Sequence, residues 1–312
     1  MGAAGMSSRP GTTERTNDMT ELAAGIYRLT NGISNFYLIE ESDKLVLVDA
    51  GAPRDWDLLG RVVRQLGRDL ADLDAVLLTH AHSDHIGFAE QARAATGARV
   101  WVHQDDAQMA RTGKAGPRDG KTSSYLLRAA FWRTALVLSR RGATKIIPVR
   151  EVSAFGDGQT LDVPGKHRVV HAPGHTDGSA AILLEDRGIM FTGDVLCTWN
   201  AYTGRTGPQI MPSGLNTDTP RALASLANLT GIKAGMLLPG HGEPWTGGVE
   251  DAIRRARAAG PSWYRVLFHP DADRGADRAG KHLDRAPTAH RPAPRLAVRI
   301  RSGRRGHPCR SL

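Results

Sequence analysis

His80-Ala81-His82-Ser83-Asp84-His85 follows directly on the apolar run Ala75-Val76-Leu77-Leu78-Thr79. Four side chains able to bind a metal therefore crowd into six residues, at the point where a buried strand should give way to a loop. A strand or a helix would point these groups in several directions, whereas a tight loop can turn all of them toward one point. Neutral imidazoles and a carboxylate suit Zn²⁺ or a similar divalent ion. Four at once point to two ions, because a single catalytic zinc normally takes three protein ligands. Three further candidates each close an apolar strand: His175 in Pro173-Gly174-His175-Thr176, Asp194 in Phe191-Thr192-Gly193-Asp194, and His241 in Pro239-Gly240-His241-Gly242.

The order His-x-His-x-Asp-His, then His, then Asp, then His resembles the metallo-β-lactamase-fold hydrolases, in particular their glyoxalase II-like and lactonase-like branches. The resemblance runs from about Leu22 to Gly260. Leu45-Val46-Leu47-Val48-Asp49-Ala50-Gly51 is similar to that family's early strand ending in an acidic residue. The resemblance implies an αββα four-layer sandwich of α/β class, with metals at one edge. It implies that His80, His82 and His175 hold one zinc, that Asp84, His85 and His241 hold the other, and that Asp194 bridges them. A hydroxide shared between the ions would be the nucleophile, with Asp84 carrying a proton to the leaving group. Iron or manganese could replace zinc. Asp49 and Thr79 are candidates to orient imidazoles from behind. His103 and His171 are expected at strand ends without a metal, and Cys197 as a small buried residue.

Charge and composition narrow the class. The chain of 312 residues carries a formal net charge of +9. Ser262 to Leu312 contains twelve Lys/Arg against four Asp/Glu, a net of +8, which leaves +1 for everything before it. The basicity belongs to a tail, so nucleic-acid binding by the folded part is not expected. No apolar run is long enough to cross a bilayer, and no membrane partner is expected. Met1 to Thr20 is polar, without the apolar core of a signal peptide. With only two cysteines, Cys197 and Cys309, a cytoplasmic setting is the expectation.

Outward from the metal loop, short strands are predicted at residues 25–29, 35–39 and 44–48, then a helix over about 55–66 and the strand at 75–78. A helix near 88–95 and a strand at 99–102 follow. Later strands are read at 168–171, 180–184, 188–191 and 236–238, and helices at about 220–229 and 249–259. Strands in runs interleaved with helices fit two sheets covered by helices. The domain is therefore placed at 21–261, after a flexible segment 1–20 and before a basic tail 262–312. That tail has too little apolar content to offset its ordering entropy and is expected to be disordered. An insertion at 105–145 contains a helix over Tyr125 to Arg141, with Phe131, Trp132 and Leu138 as candidates to wall the substrate pocket.

These readings predict a binuclear zinc hydrolase of a small ester, thioester or lactone. β-Lactam hydrolysis is an alternative, although family members that destroy β-lactams carry Cys or lack an acid where Asp194 stands. Gly204-Arg205 is only a fragment of the glutathione-binding motif of glyoxalase II, and Tyr202 comes later than the tyrosine of the acyl-homoserine lactonases. His82 stands where the oxygen-reducing diiron relatives carry a carboxylate. A protein binding nucleic acid through its basic tail is the other class of reading.

Overall fold

Successive side chains of a strand point to opposite faces, and here both faces of most strands are buried, which explains why they read as continuous apolar runs rather than alternations. The computed structural model describes residues 18–262. Strands β1 (Met19–Ala23), β2 (Ile26–Thr30), β3 (Asn35–Glu41), β4 (Lys44–Val48), β5 (Leu73–Leu77), β6 (Arg99–His103) and β7 (Ser153–Phe155) form one sheet in chain order. It is antiparallel from β1 to β4 and parallel from β4 to β7. The parallel steps need crossovers. Helices α1 (Trp56–Gln65) and α2 (Ala89–Thr96) supply the first two, and α3 (Ala107–Thr112) with α4 (Ala129–Arg140) lie in the third.

The second sheet contains β8 (His167–His171), β9 (Ala180–Leu184), β10 (Ile189–Gly193) and, after the small hairpin of β11 (Cys197–Trp199) and β12 (Thr206–Gln209), β13 (Met236–Pro239). Its spatial order is β13-β10-β9-β8, with β10 and β13 parallel. Helices α5 (Thr219–Ser225) and α6 (Val249–Ala259) cover it.

Three cores separate four layers. Phe36, Leu38, Leu45, Leu47 and Val76 pack on Leu59, Val62 and Val63 of α1 and on Ala92 of α2. The intervening residues Tyr37, Ile39, Val46, Val48 and Leu77 face the other way, against Ile182, Phe191 and Leu238 of the second sheet. Ala181, Leu183, Met190 and Leu237 turn outward again, onto Ala252, Ile253 and Ala256 of α6. This is the expected αββα sandwich. The basic tail beyond Ser262 and residues 1–17 lie outside the described residues. β1 begins at Met19, inside the segment expected to be flexible, and Ser262 accepts a hydrogen bond from Tyr125 Oη through its carbonyl.

His167, at the start of β8, is buried, and neither ring nitrogen has a hydrogen bond of normal geometry. Burial, offset only in part by the Pro164 backbone, pushes its pKa down to about 4. The folded state thus keeps it neutral while the unfolded chain protonates it near its ordinary value. Its contribution is whole above that value and is lost as pH falls toward 4, by about 3 kcal/mol in all. In urea unfolding from about pH 7 to 4, the stability gap between the native chain and His167→Leu should therefore move in favour of the variant by that amount. A gap independent of pH would show another group to be responsible.

Candidate metal centre

The ligand-bearing loops share one edge because their strands share a direction. β4 and β5 are parallel in the first sheet, and β8, β10 and β13 run the same way in the second, since β9 is antiparallel to both β8 and β10. Asp49 follows β4, the His80–His85 loop follows β5, His175 follows β8, Asp194 follows β10 and His241 follows β13. The two sheets are stitched together at that edge. Asn35 Nδ2 and Tyr37 Oη donate to the Pro239 carbonyl at 3.0 and 2.7 Å, and the Ala180 amide donates to the Thr79 carbonyl at 2.9 Å. Approach there is close enough to require glycine. A Cβ on Gly240 would run into Asp194 Oδ1 and His85 Cε1.

All seven side chains singled out in the sequence come together. His82 Nδ1 lies 2.8 Å from His175 Nε2, which lies 3.2 Å from His80 Nε2. His241 Nε2 is 3.5 Å and His85 Nε2 3.8 Å from Asp84 Oδ2. Asp194 stands between the two groups. Its Oδ2 is 3.3 Å from both His175 Nε2 and His241 Nε2, and its Oδ1 is 3.6 Å from His85 Nε2. Within this cluster the sets able to hold an ion are His80-His82-His175, Asp84-His85-His241, and a mixed set, His80-His85-Asp194.

The rings are held from behind. His85 Nδ1 donates to Asp49 Oδ2 at 2.8 Å, His175 Nδ1 to Asn216 Oδ1 at 3.0 Å, and His241 Nδ1 to the Ile33 carbonyl at 2.8 Å. His80 Nδ1 donates to Thr79 Oγ1 at 3.1 Å, and that hydroxyl donates in turn to Asp49. These acceptors keep the Nδ1 proton in place and leave each Nε2 lone pair facing the centre. Asp49 also accepts from the Thr79 amide at 2.8 Å and holds a left-handed φ of 60°. Such a backbone conformation persists where its surroundings over-determine it, as three donors on one carboxylate do here.

The donor set fits a divalent cation. His85 Nε2 is buried without a hydrogen-bond partner although its other nitrogen is engaged; an orphaned lone pair of this kind is satisfied by a metal. Burial and neighbouring imidazoles push His80 and His82 well below their ordinary pKa, so both remain in the neutral, ligating form. Burial would also lower His85, but the carboxylates of Asp194, Asp49 and Asp84 outweigh it and draw its pKa up to about 10, so an ion entering the cluster takes the place of a proton on Nε2. Burial would raise Asp194, yet His241 and His85 hold it well below the carboxylate range. The cluster thus carries an excess of negative charge that a cation would balance.

A cavity of about 460 Å³ opens onto His82, Asp84, His175, Asp194 and His241, and is walled by Phe131 and Leu138 of α4 with Tyr202, Met211 and Leu215. Trp132 departs from its expected place. It lies on the outer face of α4, exposed, with Nε1 donating to the Leu126 carbonyl at 2.7 Å. The helical stripe 131-135-138 turns inward, and Trp132 sits on the next stripe round. Cys197 is buried, with Sγ 3.4 Å from Asp194 Oδ1. Burial and the Asp194 charge push its thiol pKa well up, the state of an inert neutral thiol. His103 and His171 stack at 3.8 Å with ring planes 12° apart beside Asp105. Their nitrogens and the Asp105 carboxylate lie close enough to form a further donor set, but His103 Nδ1 accepts from the Asp105 amide at 3.3 Å and His171 Nε2 is occupied by the Asp177 carbonyl at 2.8 Å.

Sequence reasoning missed Asp106. Its buried carboxylate accepts from the Ala81 amide at 3.0 Å, Thr176 Oγ1 at 2.8 Å and the Gly178 amide at 2.8 Å, tying the first ligand loop to the His175 loop. An acid just past a strand end, the signal that singled out Asp49 and Asp194, was present here too, but it stood where the insertion begins. Asn216 was missed for want of any pattern around it.

A family model described as the metallo-beta-lactamase superfamily matches residues 29–241, a span that contains all seven candidate ligands. The probable metallo-hydrolase YflN of Bacillus subtilis (strain 168) is 28% identical over 255 residues, covering 76% of this chain and 91% of that protein. Rv2581c, an uncharacterised protein of Mycobacterium tuberculosis (strain H37Rv), is 30% identical over 224 residues, covering 69% and 89%. Among solved structures, the metallo-beta-lactamase family protein TTHA1429 from Thermus thermophilus aligns with a TM-score of 0.55 at 28% identity, over 77% of this chain and 79% of that one. BJP-1, a subclass B3 metallo-beta-lactamase of Bradyrhizobium japonicum, aligns at 0.55 and 21% identity over 78% and 91%, a likeness of fold.

Proposed function

The chain belongs to the metallo-beta-lactamase superfamily and is a metal-dependent hydrolase, and from that premise we propose that it is a binuclear zinc enzyme acting on a small ester, thioester or lactone. The observation that carries this reading is Asp194, a buried carboxylate facing His175 and His241 with one oxygen and His85 with the other. His80, His82 and His175 would hold one ion, Asp84, His85 and His241 the second, with Asp194 shared. Imidazole-rich donors favour zinc, and the carboxylates would also accept iron or manganese. Zinc in such a set supplies an activated water near neutral pH and a Lewis acid for the carbonyl oxygen.

The chain's own groups supply the rest. Asp49, Asn216 and the Ile33 carbonyl fix the ring orientations, so no reorganisation is needed during reaction. Asp84 Oδ2, at the edge of the cavity, is placed to hold a proton and pass it to the leaving oxygen or sulfur. The apolar walls exclude water and take up an acyl chain or ring. Asp194 itself argues against β-lactams, since family members that destroy them carry Cys or lack an acid at that position. A reducing, cytoplasmic setting belongs to the same proposal; among the described residues no helix is long and apolar enough to cross a membrane.

A hydrolysis screen of zinc-loaded protein over lactones, thioesters, carboxylic esters, β-lactams and phosphodiesters tests the proposal. Turnover confined to carbonyl substrates other than β-lactams supports it. Turnover of phosphodiesters or β-lactams alone overturns it. Within the preferred class, Phe131→Ala should raise KM for long-chain acyl substrates by about tenfold, the scale of a lost apolar contact, while Trp132→Ala leaves KM unchanged. Equal effects of the two variants would show that the inner face of α4 does not touch substrate.

A further inference from the structure

α4 has two apolar faces and only one of them is covered. Phe131, Ala135 and Leu138 turn to the cavity, and Thr134 Oγ1 anchors that side to the Ala201 carbonyl at 2.6 Å. The opposite side and the turn before it present Leu126, Leu127, Trp132 and Leu136, exposed by 45, 81, 57 and 51%. These are the exposed large hydrophobic side chains among the described residues, and they fall within eleven consecutive positions. A helix apolar on both sides is ordinarily buried on both, and a contiguous exposed apolar patch marks a site of contact.

Charge selects the occupant. From Gly120 to Arg150 the sequence contains seven Lys/Arg and no Asp/Glu. Among the described residues, only Arg141 and Arg150 of these form an ion pair with a carboxylate, to Asp55 at 3.0 Å and Glu90 at 3.6 Å. Arg128, Arg133 and Arg140 flank the exposed leucines and Trp132 with their charges unpaired. The chain's own basic tail would meet like charge here. So would a second copy docked through the same face, because a two-fold contact sets the patch against itself. Trp and Leu beside unpaired Arg is the composition of a segment lying in a membrane interface, with the apolar groups among acyl chains and the cations at anionic headgroups. Lying on a bilayer does not require the length needed to cross one, on which the expectation of no membrane partner rested.

We propose that the outer face of α4, with Leu126 and Leu127, docks the protein on an anionic lipid bilayer. The surface stands independently of the substrate reading, and its test is a binding measurement. Full-length protein is sedimented with vesicles of phosphatidylcholine alone and of phosphatidylcholine mixed with phosphatidylserine. Binding to the mixed vesicles is expected, together with a blue shift of tryptophan emission that disappears in Trp132→Phe. The triple variant Leu127→Ser/Trp132→Ser/Leu136→Ser keeps every charge, the tail included, and should bind about tenfold more weakly or less. The pair Arg128→Glu/Arg140→Glu, at exposed sites, should lose the preference for phosphatidylserine. Unchanged binding of the triple variant would assign any vesicle affinity to the tail and overturn the proposal. So would no binding by the native chain, or a solution dimer that the triple variant dissociates.

Discussion

Asp194→Ala is expected to lower kcat/KM by about a thousandfold while leaving the sandwich folded. Asp194 is buried and faces His175, His241 and His85 at 3.3 to 3.6 Å. Losing one preorganised charged group at a reacting centre costs about two to three orders of magnitude in rate, and weaker metal binding adds to that. The loss should fall on metal content and rate rather than on the apolar cores, which Asp194 does not touch. Asp194→Asn preserves the shape with one uncharged oxygen and should fall between the two. The check is kcat/KM beside metal content and the thermal transition of each variant. An Asp194→Ala protein with native metal content and native rate would contradict a shared carboxylate.

Asp106→Ala should loosen the centre without removing a ligand. The carboxylate accepts from two backbone amides and one hydroxyl, at Ala81, Gly178 and Thr176. Alanine leaves the two amides buried and unpaired, at about 1–3 kcal/mol each before water enters, while Thr176 Oγ1 keeps Ser179 Oγ at 2.8 Å. The loop bearing His80 and His82 then loses its tie to the loop bearing His175, and metal affinity should drop by roughly 10–100-fold, the range for groups that orient ligands from behind. Asp106→Asn should recover only part of the affinity, since its amide nitrogen opposes one of the donors. Competition with a chromophoric chelator measures the affinity, and an unchanged value would reduce Asp106 to an ordinary loop anchor.

What was legible in the sequence follows from which groups carry the information. β3, β4, β9 and β10 are buried on both faces, so their apolar runs stand out, and the proposed metal ligands are side chains placed where such runs stop. β1, β7, β11 and β12 escaped because they are three to five residues long with polar or mixed composition, and α3 because one and a half turns show no period. Helical spacing revealed the apolar stripes of α4 but could not say which stripe meets the body, which is why Trp132 was expected on the wrong side. Asp49 and Thr79 were readable as supports because they sit on the motif-bearing strands. Asp106 acts across three loops, Asn216 lies far along the chain from His175, and the acceptor for His241 is the Ile33 carbonyl, which no side-chain pattern can announce.

On the proposed reading, seven side chains from four loops would hold two metal ions side by side. Its most direct test is anomalous scattering at the zinc edge from crystals of the zinc-loaded protein. Two peaks per chain are expected, one among His80, His82 and His175 and one among Asp84, His85 and His241, with Asp194 between them. No peak at this cluster after zinc loading, or a single ion bound away from Asp194, would contradict it.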